Sequence, residues 1–171
     1  MTDRHSPHAE RKFTVKDIIA AWLGAFFGIA AVAWTAISIP DAKLLVIGSF
    51  GSSAVLIYGA PKLPAAQPKN LILGHLICAL VGTLTWQYLP DVLLLQEAFA
   101  VATAIALMQL TRTMHPPGGA TALIAIIAGP EIHSMGIGFI WVVLLGSIIM
   151  LAVAVLVNNV FSRGSYPTRW N

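Results

Sequence analysis

His115 stands in front of two prolines and two glycines, in the run His115-Pro116-Pro117-Gly118-Gly119-Ala120-Thr121-Ala122. Its imidazole can donate to an anion when neutral and carry a proton when charged. Proline at 116 and 117 removes two backbone donors and pushes His115 out of helical conformation, while Gly118 and Gly119 let the backbone approach a ligand or a second helix. From Ala120 and Thr121 a helix can restart, and its first N–H groups have no intrahelical partner. Buried, those groups need an acceptor, and an anion suits both them and the helix dipole. A second stretch, with Ser49, Gly51, Ser52 and Ser53, offers another helix start, with hydroxyls as extra donors. Two such starts facing each other would cradle a small anion.

Other residues bear on the same chemistry. His75, beside Gly74, is an ionisable group inside an apolar run, which points to a gate or to anion attraction. A helix–helix hydrogen bond is its structural alternative, as capping a carbonyl is for His115. Arg112 either attracts anions at a mouth or anchors a cytoplasmic loop. Thr103, Gln109, Thr121 and the pair Asn158 and Asn159 read as interhelical polar contacts, and Gly24 and Gly28 as a close-packing or oligomerisation face. No Asp or Glu occupies the middle of an apolar segment, so a carboxylate cage for a metal cation lacks ligands; no metal and no cofactor is expected. Ser52, His75 and His115 form a weak case for an intramembrane hydrolase, and His5 and His8 a weak metal pair in a polar tail.

The elements that position these residues are membrane helices. Of 171 residues, 57% are hydrophobic and 10% charged, with mean hydropathy +0.80, too little polar surface to coat a soluble globule. Ile18 to Ile39 carries no charge and is long enough to cross a hydrocarbon core of about 30 Å; it exceeds a signal-peptide core, so it is read as a retained span. Apolar segments follow at 44–60, 71–88, 92–110, 114–129 and 136–160, separated by Pro- and Asp-containing turns. The HPP-containing segment is short: about 18 Å of helix plus about 16 Å of extended chain would just cross, and a re-entrant loop is the rival. With the N-terminus inside and six crossings, Arg4, Arg11, Lys12, Lys16, Lys62, Lys69, Arg112, Arg163 and Arg169 lie inside and Lys43 alone outside, the expected bias. Trp34, Trp86, Tyr88 and Trp141 would mark one interface, Trp22 and Tyr58 the other. The net charge of +3 sits in short loops rather than a stripe, which argues against nucleic acid. Cys78 has no partner for a disulfide.

Phe50 to Ile57 aligns weakly with Pro117 to Ile124, and each stretch is followed by a small residue and proline, Ala60-Pro61 and Gly129-Pro130. The halves then admit a 3+3 inverted repeat, whose interrupted middle segments are where a transporter's site is expected. The HPP run, together with Gly48-Ser49-Phe50-Gly51-Ser52-Ser53-Ala54 and Ala66-Gln67-Pro68-Lys69-Asn70-Leu71, resembles the HPP family of integral membrane proteins, over about Asp17 to Phe161. That resemblance implies a transport protein, nitrite being the substrate associated with chloroplast and cyanobacterial members, and four or five spans. The resulting expectation is an all-α, polytopic helical bundle of five to six spans at 17–161, broken or short at 44–60 and 114–129, with cytoplasmic tails at 1–16 and 162–171. It would sit in the cell's inner membrane, move a small inorganic anion without being an enzyme, and leave room for a homo-oligomer. The rival reading is a membrane scaffold or regulatory subunit.

Overall fold

A computed structural model describes residues 13–38, 46–161 and 166–169. The expectations for His5 and His8, for the Pro40-Asp41 turn and for most of both tails lie outside these residues. The described chain is all helical, with no strand. Helix α1 (Val15–Ser38) opens on a reciprocal cap: Thr14 N–H donates to Asp17 Oδ2 at 2.9 Å, and Asp17 N–H to Thr14 Oγ1 at 3.2 Å. Helix α2 is a single α-turn, Gly51–Ala54, between two wide π-turns, Val46–Phe50 and Val55–Gly59. A 3-10 turn at Pro64–Ala66 leads into α3 (Pro68–Tyr88). Its start is set by Pro68, whose fixed φ and missing N–H suit the first helical position. Asn70, in the first turn, donates from Nδ2 to the Met114 carbonyl at 2.9 Å. Helix α4 (Leu93–Leu110) is followed by α5 (Pro117–Ile127), α6 (Pro130–Met135) and α7 (Gly138–Phe161).

Four helices, α1, α3, α4 and α7, are long and apolar enough to cross a membrane; α5 is shorter. Their outer faces are apolar, with Trp34, Leu94, Leu110 and Trp141 each 68–79% exposed. Water would not support so much exposed hydrocarbon, and lipid does. The short and interrupted elements fall in the two segments expected to contain them. Tyr58 is not at an interface: it is buried, its hydroxyl donates to the Met150 carbonyl at 3.1 Å, and its ring lies on Gly24 and Gly28 of α1. A Cβ at Gly24 would come 2.5 Å from Tyr58 Cδ1, so this small-residue face closes on the chain itself.

Close approaches fix the direction of the second break. A Cβ on Gly74 would meet His115 Cβ at 2.6 Å, one on Gly118 would meet Cys78 Sγ at 2.8 Å, and one on Gly82 would meet the Ala122 carbonyl oxygen at 2.6 Å. Beyond α5, His133 stacks on Trp86 with ring centroids 4.0 Å apart. Residues 113–133 therefore run parallel to α3, from its first turns to its last. The opposite course is taken by Val46–Gly59, which runs beside α7: Phe50 fills the space over Gly146, and Asn158 Nδ2 donates to the Ile57 carbonyl at 3.1 Å. One end of the bundle gathers the start of α3, the turn before α5 and the chain after α7.

Candidate functional site

The two interrupted segments meet at four buried polar side chains. Ser53 comes from α2, His75 from α3, His115 from the turn before α5 and Thr121 from α5, each at 0% exposure. Ser53 Oγ lies 2.8 Å from His75 Nε2 and 2.9 Å from His115 Nε2. The outer nitrogens are also engaged, His75 Nδ1 with Thr121 Oγ1 at 2.8 Å and His115 Nδ1 with the Ala65 carbonyl at 2.8 Å. The ring centroids are 4.8 Å apart, and Phe50 closes one side at 5.1 Å from His75.

One end of this chain dictates its polarity. A carbonyl only accepts, so His115 Nδ1 carries the proton and donates to Ala65. With both rings neutral, His115 Nε2 then accepts from the Ser53 hydroxyl, Ser53 Oγ accepts from His75 Nε2–H, and His75 Nδ1 accepts from the Thr121 hydroxyl. Every donor points from Thr121 toward Ala65. No acid and no base other than these two histidines is among the buried polar side chains of the described residues, so nothing there fixes a counter-charge.

Of the residues singled out in the sequence, the structure brings Ser53, His75, His115 and Thr121 together. Ser49 is buried nearby in the same segment. Ser52, by contrast, faces outward, one residue off the cluster. Gly51 is not a helix start: Phe50 before it is already helical (φ −75°, ψ −28°), because the π-turn continues into α2. At the second start, Gly118 N–H donates to the His115 carbonyl at 2.8 Å and Gly119 N–H to the Pro116 carbonyl at 3.0 Å. Two donors expected to hold an anion are thus used by the turn, so the opposed cradle of free N–H groups is not formed. Gly118 serves the α3–α5 contact, whereas Gly119 and Ala120 are half-buried and a Cβ at 119 would meet nothing within 4 Å. Beside the cluster, an apolar pocket of about 260 Å³, open to the outside, is lined by Ser52, Val55, Leu56, Ala60, Pro116 and Pro117. Arg112 is exposed, with φ at +54°. Among the expected interhelical contacts, Asn158 and Thr121 are made, whereas Gln109 is exposed.

Two participants carried no sequence signal. Ala65 contributes only its carbonyl. Tyr166 binds by hydroxyl to the Ala66 carbonyl at 2.7 Å, and exchanges two bonds with the Asn159 amide at 2.6 and 2.8 Å. Burial raises the pKa of this phenol above its ordinary value and keeps it a donor. Gln67 completes the strap: its Nε2 donates to the Pro61 and Leu63 carbonyls at 2.8 and 3.0 Å, and its Oε1 accepts from Thr168 N–H at 2.9 Å and Arg169 N–H at 3.2 Å.

Long apolar helices, lipid-facing surfaces and a buried polar cluster at two helix interruptions define a polytopic helical membrane protein with an internal polar site. Residues 10–167 match the family model described as HPP, transmembrane region, and the chain belongs to that family. It is 44% identical over 162 residues to one transmembrane protein of Dictyostelium discoideum, covering 91% of this chain and 56% of the relative. To a second from the same organism it is 41% identical over 162 residues, covering 91% and 52%. The chain thus spans about half the length of the curated relatives it matches. No solved structure matches it.

Proposed function

We propose that this protein moves a small inorganic anion, nitrite first, across the cell's inner membrane, with the Ser53–His75–His115–Thr121 cluster as its site. One observation carries the reading: two imidazole Nε2 atoms converge on a single buried position, now held by the Ser53 hydroxyl. An oxyanion entering there would meet the His75 Nε2–H, the Ser53 hydroxyl and no acidic side chain, and His115 Nε2, bare in the neutral ring, would donate to it once His115 is protonated, which suits an anion and opposes a metal cation. Nitrite is the member of this class that the family resemblance favours. The cluster is closed, so passage requires the interrupted segments to move. The π-turns flanking α2 supply the hinge, since such turns relax more readily than α-helix.

The packing supports an inverted repeat. The contacts of α1 with α7 are mirrored by those of α4 with α3, and those of α1 with the Val46–Gly59 segment by those of α4 with α5. The two middle segments also touch each other, where a two-fold axis in the membrane plane would place the site. On this reading the chain crosses six times. The end bearing Lys62, Lys69, Arg112 and Arg169 is cytoplasmic, as are both termini.

A second reading draws on the order Ser53, His115, Ala65, a hydroxyl on a ring nitrogen whose other nitrogen is held by a carbonyl. That is a nucleophile, base and orienting group. Full burial of Ser53 favours transport, and no enzymatic activity is assigned. The test is nitrite uptake into liposomes holding the purified full chain, wild type beside His115→Ala and empty vesicles. Uptake above empty vesicles that falls in His115→Ala supports the reading, and equal flux in all three defeats it. Product without net uptake would favour the enzyme.

A further inference from the structure

The cluster contains an unbroken line of exchangeable hydrogens, Thr121 Oγ1 to His75, His75 to Ser53, Ser53 to His115 and His115 to Ala65, with every link 2.8 or 2.9 Å long. Resting on the transport reading above, we propose that this line carries one proton with each anion, making the movement electroneutral. Three features of the geometry support it. All its side-chain members are fully buried, so bulk water does not short-circuit the links. Each of the three links between side chains joins groups that can both give and receive a proton, imidazole or hydroxyl, whereas the fourth ends on a carbonyl that orients His115. Finally, the Ala65 carbonyl at one end orders all the donors in one direction.

A proton reaching Thr121 binds Oγ1 while that oxygen releases its own proton to His75 Nδ1. His75 gives its Nε2 proton to Ser53 Oγ, and Ser53 gives its hydroxyl proton to His115 Nε2. His115 then gives its Nδ1 proton to a water molecule that takes the place of the Ala65 carbonyl when the interrupted segments open, and the hydronium so formed leaves at the bundle end formed by the Pro61–Gln67 loop. Each atom gains one proton and loses one, or is left as the other neutral tautomer, so one proton is moved and no residue keeps a charge. Rotation of the two hydroxyls, and exchange with water of the protons on His75 Nδ1 and His115 Nε2 for protons on His75 Nε2 and His115 Nδ1 while the interrupted segments are open, restores the line without running it backwards. The delivering acid is the protonated form of the anion itself or hydronium from the aqueous phase.

The surroundings leave this line as the proton path. On α3 the next titratable group is Cys78, whose Sγ is turned to Met108 Sδ at 3.8 Å. On the Val46–Gly59 segment it is Tyr58, whose hydroxyl is turned away to Met150 of α7. Lys62 and Arg112, on the loops packed against the cluster, are exposed, and Lys69 is half-buried at the start of α3. Neither α5 nor α7 contributes a charged side chain.

The test uses the full chain in liposomes loaded with a pH-sensitive dye, given external nitrite with and without a potassium and valinomycin voltage clamp, and corrected for empty vesicles. Coupled movement acidifies the lumen, and its rate changes less than about twofold on clamping because no net charge crosses. Ser53→Ala and His75→Gln should each lower the acidification about a hundredfold, the scale of a lost proton-transfer group, while Ser53→Thr keeps it. Nitrite uptake that accelerates under the clamp and leaves lumen pH at the empty-vesicle value overturns the proton proposal and preserves anion transport. Coupling that persists in Ser53→Ala overturns it as well. Uptake equal to that of empty vesicles defeats the transport reading and this proposal with it. The clamp measurement needs only wild-type protein, so a variant that misfolds does not decide the outcome.

Discussion

Arg112 holds a left-handed backbone at the end of α4, where glycine is the usual residue. Thr113 N–H reaches back to the Met108 carbonyl at 2.9 Å and Arg112 N–H to the Gln109 carbonyl at 3.1 Å, the double closure that ends many helices. A residue with a Cβ costs about 1–2 kcal/mol in that conformation, so the guanidinium is retained against a stability cost. Arg112→Gly should therefore raise the unfolding temperature in detergent while slowing nitrite uptake at low external nitrite; a lower melting temperature would show that the arginine stabilises the turn. At the cluster, Thr121→Val keeps the shape and removes the donor to His75 Nδ1. Leaving that nitrogen buried and unpaired should cost about 1–3 kcal/mol, read as a fall in unfolding midpoint, and an unchanged midpoint would mean that the bond contributes nothing. His75, His115 and Thr121 were legible as single residues because a polar group inside an apolar run announces itself. Choosing between Ser52 and Ser53 was not possible, since a π-turn upstream rotates the helix face by an amount the sequence does not encode.

Contact between α3 and α5 depends on residues with little or no side chain. Gly74, Cys78 and Gly82 recur every four residues and so share one face of α3, where Thr113, His115, Gly118, Ala122 and Ala125 meet them. In lipid such close backbone approach supplies packing that the hydrophobic effect does not. Gly82→Ala would drive a methyl against the Ala122 carbonyl, 2.6 Å from an ideal Cβ, where only a shift of backbone gives relief. Overpacking of this kind costs about 1–3 kcal/mol. Gly119→Ala, in open space within α5, should instead be neutral or gain about 0.5–1 kcal/mol from the lower backbone entropy of alanine. Thermal unfolding of the two variants side by side checks the pair, and equal effects would refute the seam. The existence of both interrupted segments was readable from proline and glycine. Their use was misread, because the expected free N–H groups at Gly118 and Gly119 are satisfied by the carbonyls of His115 and Pro116, an economy that only the turn geometry reveals.

At the scale of the molecule, the strap ties topology to the site. Tyr166 holds the Ala66 carbonyl, one residue from the Ala65 carbonyl that orders His115, and Gln67 grips Thr168 and Arg169. This places the chain after α7 at the same end as Lys62, Lys69 and Arg112, a grouping the charge pattern anticipated without showing what holds it together. The rival, a re-entrant α5, is at odds with the parallel course of residues 113–133 along α3 as far as the Trp86–His133 stack. Single cysteines introduced at exposed positions decide between them in membrane vesicles of known orientation. Lys62→Cys and Arg169→Cys should react with an impermeant maleimide from the cytoplasmic face, and Asp91→Cys and Glu131→Cys from the opposite face. Native Cys78, fully buried in α3, should stay unlabelled from either side. Labelling of Glu131→Cys from the same face as Lys62→Cys would mean that α5 returns without crossing. In that case the chain would cross an odd number of times, its repeat would not be inverted, and the convergence of Ser53, His75 and His115 would come from one re-entrant loop meeting a helix rather than from two interrupted spans crossing.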